Sequence, residues 1–278
     1  MDLILPTDHL SITQMSMYLR CPMQYYFRYV EGRKIPPKWT MFLGSCGHGV
    51  LEYNNRQKIE SFKDIKTDEA LEYYHSEFTK KKDETEIDWQ DEQPGKVKDR
   101  GAGVLKTYFE GKYNEPIQPI AVEEKIEIEF EETNFPLLMF VDVITKDEIG
   151  DYKFASKRPS EANLQKDIQL TGYGLGFYYK YNRLPASSFY QHLIYQKTKN
   201  DVVPTPVPRT EDDYIRFRED FKNVAANIAD NYKKGTWVRN PHNYFCSPKN
   251  CGYWNLCRKE RVIFDFIKPD TLGEVKFS

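Results

Sequence analysis

LMFVDVITKDEIGDYKFA, residues 138–155, decides how the rest of the chain is read. Two short apolar runs flank a charged turn, Lys146-Asp147-Glu148, which is the pattern of two strands joined by a tight connection. Side chains two apart on a strand point the same way, so Asp151 and Lys153 share a face with Ile149 and Ala155. On the preceding strand, Asp142 falls in phase with Leu138, Phe140 and Ile144. Two carboxylates and an ammonium thus stand where core is expected. Burying them without partners is costly, so the arrangement makes sense where they meet one another and a divalent cation. Mg²⁺ and Mn²⁺ favour oxygen ligands, and a lysine beside such a site can orient a water or stabilise charge developing on phosphorus.

Upstream, Ile120–Phe130 alternates as a strand with Ile120, Val122, Ile126 and Ile128 on one face. Glu124 breaks that face as its lone acid and is a candidate companion of Asp142 and Asp151. Residues 44–48, Gly-Ser-Cys-Gly-His, lead into a helix with His48 near its start, and the flanking glycines leave room for close approach. Downstream, Leu164–Lys180 reads as a helix on which Gln169 and Tyr173 share a face, and its three glycines predict close packing on the sheet. Ser188–Thr198 gives a fourth strand, Val202–Pro208 a proline-rich loop, and Glu211–Lys234 a long helix capped by Thr210. At the N-terminus a helix opens near Ser11, is interrupted at Cys21-Pro22 and resumes as an aromatic helix. Further helices are expected over Thr67–Lys82 and Lys96–Tyr113. This order predicts an α/β sheet flanked by helices. No glycine-rich phosphate loop follows a strand, which excludes a doubly wound dinucleotide fold.

With 278 residues, 40% of them hydrophobic, the chain can bury a full core. A net charge of -2 excludes a polycation that coats nucleic acid, so any nucleic-acid contact must come from a local patch. The first residues lack the pattern of a signal peptide, and no apolar run approaches the ~20 residues of a membrane span. A soluble, cytoplasmic protein without membrane contact is the expectation. Cys246, Cys251 and Cys257 are separated by four and five residues, with Cys21 far away, which favours a metal site over disulfides. Spacing leaves zinc and iron-sulfur both open. Cys46 reads as a small buried thiol.

Taken in order, these elements resemble a RecB-type nuclease of the PD-(D/E)XK superfamily. Asp142 matches the first motif aspartate, Asp151-Tyr152-Lys153 the Asp-X-Lys core, and Gln169-Leu-Thr-Gly-Tyr173 the Gln-X-X-X-Tyr helix. Gly44–His48 and Tyr18-Leu-Arg-Cys21-Pro22 resemble upstream elements of the same group. Met139, where a glycine usually precedes the aspartate, and Phe154, where a small hydroxyl residue is common, depart from the pattern. The resemblance implies a restriction-endonuclease-like mixed central sheet flanked by helices, in one nuclease domain over residues 1–278 with its catalytic core at 118–198. It implies catalysis by Asp142, Asp151 and Lys153, with His48, Asp142 and Asp151 binding Mg²⁺ or Mn²⁺ and with Gln169 and Tyr173 contacting DNA; Glu124 joins the catalytic set on strand periodicity alone. AddB-like and CRISPR-adaptation nucleases of this superfamily further imply a 4Fe-4S cluster on Cys21, Cys246, Cys251 and Cys257. That cluster would form a clasp of segments 1–35 and 240–262, joining the N- and C-terminal segments. The expected substrate is single-stranded DNA or DNA with free ends. The expected activity is that of an exonuclease in recombination, repair or mobile-element DNA processing, with recombination, replication or CRISPR-adaptation proteins as partners. Two alternatives are a subunit of a spacer-acquisition or helicase-coupled nuclease and a non-catalytic iron-sulfur module that binds DNA or inhibits.

Overall fold

Ser11 starts the first helix by a reciprocal cap: its hydroxyl accepts the Gln14 N–H at 3.2 Å while the Gln14 side chain accepts the Ser11 N–H at 2.5 Å. The computed structural model describes residues 3–131, 133, 135–196 and 199–259. Residues 260–262 of the expected clasp and 197–198 of the expected fourth strand lie outside the described residues. The chain divides into two compact units, one of Met1–Ile35, Glu129–Pro136 and Glu219–Ser278, the other of Pro36–Ile128 and Leu137–Arg218.

The first unit opens with the two-residue strand β1 (Leu10–Ser11), whose Leu10 N–H donates to the Pro136 carbonyl at 3.0 Å. Helix α1 (Ile12–Arg20) ends at extended Cys21, and α2 (Pro22–Tyr25) starts on a proline whose missing N–H costs nothing there. A π-helical turn, Tyr26–Val30, follows. The expected aromatic helix is therefore short and changes its winding. Its rings form the core of this unit: Tyr25 packs on Trp237 and Tyr18, and Phe27 on Tyr253. Asn231, on the helix Glu211–Lys234, donates to the Tyr18 hydroxyl at 2.9 Å.

In the second unit, α3 (Trp39–Ser61), α4 (Thr67–Glu84) and α5 (Pro94–Glu110) precede the sheet. Five strands follow: β2 (Pro119–Ile128), β3 (Leu137–Thr145), β4 (Glu148–Ala155), β5 (Ser187–Ile194) and β6 (Asp201–Pro206). They lie side by side in that order. All neighbours are antiparallel except β4 and β5, which run parallel. The sheet is therefore mixed and flanked by helices. Its main core joins Leu43, Val50 and Leu51 of α3 and Val104, Leu105 and Tyr108 of α5 to Val143, Tyr152, Leu193 and Val202 of the strands.

Four sequence expectations change. The stretch Val202–Pro208 is an edge strand through Pro206 rather than a loop; prolines fit there because an edge strand need not donate along its outer side. The glycine-rich segment before His48 is helical, so His48 lies inside α3 rather than near its start. A break at Asp167–Ile168 divides the expected helix at 164–180 into α6 (Glu161–Lys166) and α7 (Gln169–Tyr181). On β3 the buried row is Leu137, Met139, Val141 and Val143, while Phe140 is 50% exposed. Asp142 therefore does not share a fully apolar face.

Candidate active site

Strand β4 leaves β3 and stays with β5, and the site lies where that happens. The β3–β4 ladder pairs Ile144 with Ile149 and Val143 with Gly150. One step further, Asp142 and Asp151 stand opposite each other where the ladder has ended. The Asp142 carboxylate there accepts the Tyr152 N–H at 2.9 Å, replacing a backbone partner. Strand β4 meanwhile pairs with β5 over its whole length, with Asp151 beside Tyr190 and Lys153 beside His192.

Around Asp151, polar groups of β4, β5 and α7 meet. Asp151 is 1% exposed, and Lys153 Nζ lies 2.7 Å from its Oδ2. Gln169, at the start of α7, bridges the pair: its amide nitrogen donates to Asp151 Oδ1 at 2.8 Å, and its amide oxygen accepts from Lys153 at 2.7 Å. The same nitrogen lies 2.8 Å from the Tyr173 hydroxyl, one helical turn on. Gln169 itself is fixed by Asp167, whose carboxylate accepts the Gln169 N–H at 2.8 Å and the Tyr190 hydroxyl at 2.7 Å. Lys153 lies over the Tyr190 ring, 5.3 Å from its centre.

Electrostatics sort these groups by role. Burial and the Asp142 charge push the Asp151 carboxyl up to about 7, against the pull of Lys153 and His48. Burial pulls Lys153 down, but Asp151 and Asp142 outweigh it and the ammonium is held above its ordinary value. Lys153 is therefore a proton donor and a positive charge at neutral pH, not a base. Burial likewise pulls His48 down, and its contact with Asp142 more than compensates. His192, beside Lys153, is pushed down to about 4 by burial and nearby cations and stays neutral.

The second cluster faces Asp142. His48 Nδ1 lies 3.2 Å from Asp142 Oδ2. Ligand atoms of His48, Glu123 and Asp142 all lie within 4.8 Å of one another, the one set of three or more such groups among the described residues. One imidazole nitrogen and two carboxylates at this separation fit a divalent cation of the Mg²⁺ or Mn²⁺ type. The acid that β2 supplies is Glu123, not Glu124. Glu123 has a positive φ of 49°, and the ladder passes from Val122–Val143 to Glu124–Val141 with no shift. In this unbroken register Glu123 stands opposite Asp142, and its carboxylate reaches the ligand atoms of His48 and Asp142, whereas the Glu124 carboxylate pairs with Lys180. Burial and Asp142 push the Glu123 carboxyl up to about 7. A strict period of two cannot reveal such a residue; two consecutive glutamates in an otherwise alternating strand were the available signal.

Both motif departures have a packing partner. A Cβ on Gly47 would fall inside the Phe154 ring, so α3 approaches β4 closely only because residue 47 has no side chain. The Phe154 ring in turn lies 5.9 Å from that of His48. Met139 rests on Gly176 of α7, where a Cβ would come 2.6 Å from its sulfur. Of the three glycines expected to pack on the sheet, Gly176 does so, whereas a Cβ on Gly174 would meet Tyr214 of the helix Glu211–Lys234.

Behind β4, Tyr152 enters a buried polar network. Its hydroxyl accepts from Asn55 at 2.7 Å and donates to Asn114 at 3.1 Å. Asn114 also bonds Tyr108, Asn55 and Asp64, and Asp64 pairs with Lys58, which is 2% exposed.

In the first unit, Cys21, Cys246, Cys251 and Cys257 line one cavity of about 300 Å³ and none is in a disulfide. Gln24 donates to Cys251 Sγ at 3.2 Å and Arg239 to Cys257 Sγ at 3.3 Å. Cys46 is buried in the second unit, apart from them.

Ten chains of solved structures match this one. One is a candidate exonuclease from Eubacterium rectale, 11% identical, with a TM-score of 0.57 over 97% of this chain and 94% of that one. At that identity the likeness concerns the fold alone. No curated protein matches the chain. The family model of the PD-(D/E)XK nuclease superfamily, however, matches residues 9–258 and so includes the Asp142, Asp151–Lys153 and Gln169 elements together, and the chain belongs to that superfamily.

Proposed function

We propose that this nuclease hydrolyses phosphodiester bonds of DNA, acting as an exonuclease on single strands or free ends. The observation that carries the reading is the Asp151–Lys153–Gln169 lock beside the His48, Glu123 and Asp142 set. His48, Glu123 and Asp142, with Asp151 adjoining, would hold a divalent cation, which would supply charge to the phosphate under attack and acidify a water. The protein's own groups do the rest. Lys153 remains protonated and donates to the attacking water or to the phosphoryl oxygen on which charge grows. Gln169 holds the Lys153 ammonium and the Asp151 carboxylate in fixed orientation, so little reorganisation is needed during reaction. Tyr173, bound to Gln169, lines the approach. Glu124 has no part in this scheme.

Exonuclease action is favoured by the family resemblance and by the likeness in fold to a candidate exonuclease. Among the described residues no helix is long and apolar enough to cross a membrane. The four cysteines of the first unit fit an iron-sulfur cluster. Such a cluster would tie residues 1–35 to 240–259 and serve stability and DNA positioning rather than electron transfer.

The deciding experiment is Mn²⁺-dependent degradation of labelled single-stranded and duplex DNA, each with free or blocked ends. Loss of cleavage on blocking the ends supports the exonuclease. Unimpaired cleavage by Asp142→Ala, Asp151→Ala and Lys153→Ala variants would place the chemistry elsewhere. Iron and sulfide analysis decides the cluster; a colourless, zinc-loaded protein that is folded and fully active defeats it.

A further inference from the structure

The chain as a whole is weakly acidic, yet the segments that surround the cysteines contain no acid at all. Residues 9–30 hold Arg20 and Arg28 and no Asp or Glu; residues 233–258 hold Lys233, Lys234, Arg239, Lys249 and Arg258 and again no Asp or Glu. Both segments belong to the first unit. The same segments expose aromatic surface. Tyr244 is 82% exposed and Phe245 45%, and their rings meet edge to face at 5.6 Å. Their backbone is held, because Asn243 Oδ1 accepts the Phe245 N–H at 2.9 Å. Guanidinium groups flank the rings: Arg20 lies over Phe245 at 4.8 Å and Arg258 over Trp254 at 4.6 Å.

An exposed tyrosine ring beside stacked guanidinium groups offers flat surfaces for bases and cations for phosphates. Lys234 is taken up by Asp230, and the remaining cations of the two segments complement a polyanion. Exposed ring faces suit unpaired bases, which a duplex keeps stacked inside. We propose that the face bearing Tyr244, Phe245, Arg20, Arg239 and Arg258 binds single-stranded DNA, with a base stacked on Tyr244 and phosphates along the arginines. The choice of DNA rests on the nuclease reading above; the binding itself needs no catalysis.

The test is fluorescence anisotropy of labelled oligo-dT with the full chain, without divalent metal so that no cleavage occurs. Tyr244→Ala is expected to weaken binding about tenfold, and Tyr244→Trp to preserve it, as stacking requires. Arg258→Gln is expected to flatten the dependence of log affinity on log salt by about 0.7, the contribution of one phosphate contact on a single strand. Tyr244 is so exposed that its replacement leaves the core intact. Tyr244→Ala binding oligo-dT as tightly as wild type, with an unchanged salt slope for Arg258→Gln, overturns the proposal. Tighter binding of oligo-U than of oligo-dT overturns the choice of DNA. A wild-type protein that binds oligo-dT through Tyr244 but degrades nothing with Mn²⁺ supports the surface and refutes the nuclease reading; one that degrades DNA while the variants bind normally refutes the surface alone.

Discussion

Glu123 and Glu124 are adjacent and alike in charge, yet replacing each by glutamine has opposite consequences. Burial and Asp142 push the Glu123 carboxyl from an ordinary value near 4.5 up to about 7. For a fully desolvated group that gap disfavours the ionised folded form by about 3 kcal/mol. Glu123 is only partly buried, and solvent screening leaves ~1–2 kcal/mol. The folded protein binds more protons than the unfolded chain between these two values, so stability falls as pH rises through that window. Glu123→Gln removes the penalty. In urea denaturation without metal the variant gains about 1–2 kcal/mol near pH 8, and the gain fades near pH 4. Mn²⁺ reverses the ranking, because a cation stabilises the form that binds it more tightly, and wild type keeps the ligand. Cleavage falls by about 10²-fold in the variant, comparable with removal of one charge-stabilising group. Glu124→Gln breaks a surface pair with Lys180, costs about 0–1 kcal/mol and leaves cleavage intact. The reasoning fails if Glu123→Gln is less stable than wild type near pH 8 without metal, or if Glu124→Gln is the variant that stops cutting.

Lys153→Met should lower the cleavage rate about 10²–10³-fold while the protein stays folded by circular dichroism, since it removes the donor to the developing charge. Metal binding should release protons and weaken as pH falls below the raised values of Asp151 and Glu123, because protonated carboxyls must ionise to bind; calorimetry in buffers of different ionisation heat reads this directly. Gly47→Ala should destabilise by about 0–2 kcal/mol, an overpacking cost of ~1–3 partly offset by ~1 of helix propensity. In a Phe154→Ala background the same change should stabilise, which a double-mutant cycle in urea would show. Cys251→Ser should abolish bound iron and lower the melting temperature, with Cys46→Ser leaving iron unchanged.

The central pair was legible because charge on short apolar strands is rare enough to demand a reason. Asp142, Asp151 and Lys153 follow from that oddity, and Gln169 with Tyr173 from helical spacing. The structure places Gln169 on both Asp151 and Lys153. The rest depended on how the elements pair and pack. Glu123 replaces its neighbour because the pairing of β2 with β3 sets it opposite Asp142, and the alternation of one strand does not give its register on the next. The helix through Gly44, Gly47 and Gly49 defies propensity because tertiary packing against Phe154 rewards the missing side chain. The prolines of β6 mask a strand that sits at the sheet edge. Asp167 and Tyr190 carried no motif; the Tyr190 hydroxyl reaches Asp167, which accepts the Gln169 N–H, only once β5 lies beside β4.

The Tyr152 hydroxyl, bound to Asn55 and Asn114 behind the sheet, also fixes which way its neighbours look. Sliding a strand by one residue sends every side chain to the opposite side. For β4 such a slip would bury the Lys153 ammonium among the amides that now hold Tyr152 and would withdraw Asp151 from Asp142. The Tyr152 phenol, held by two amides, opposes that slip. Tyr152 therefore works as a register pin, and the constancy of the Asp-Lys geometry is guarded from the far side of the strand by atoms that never meet the substrate.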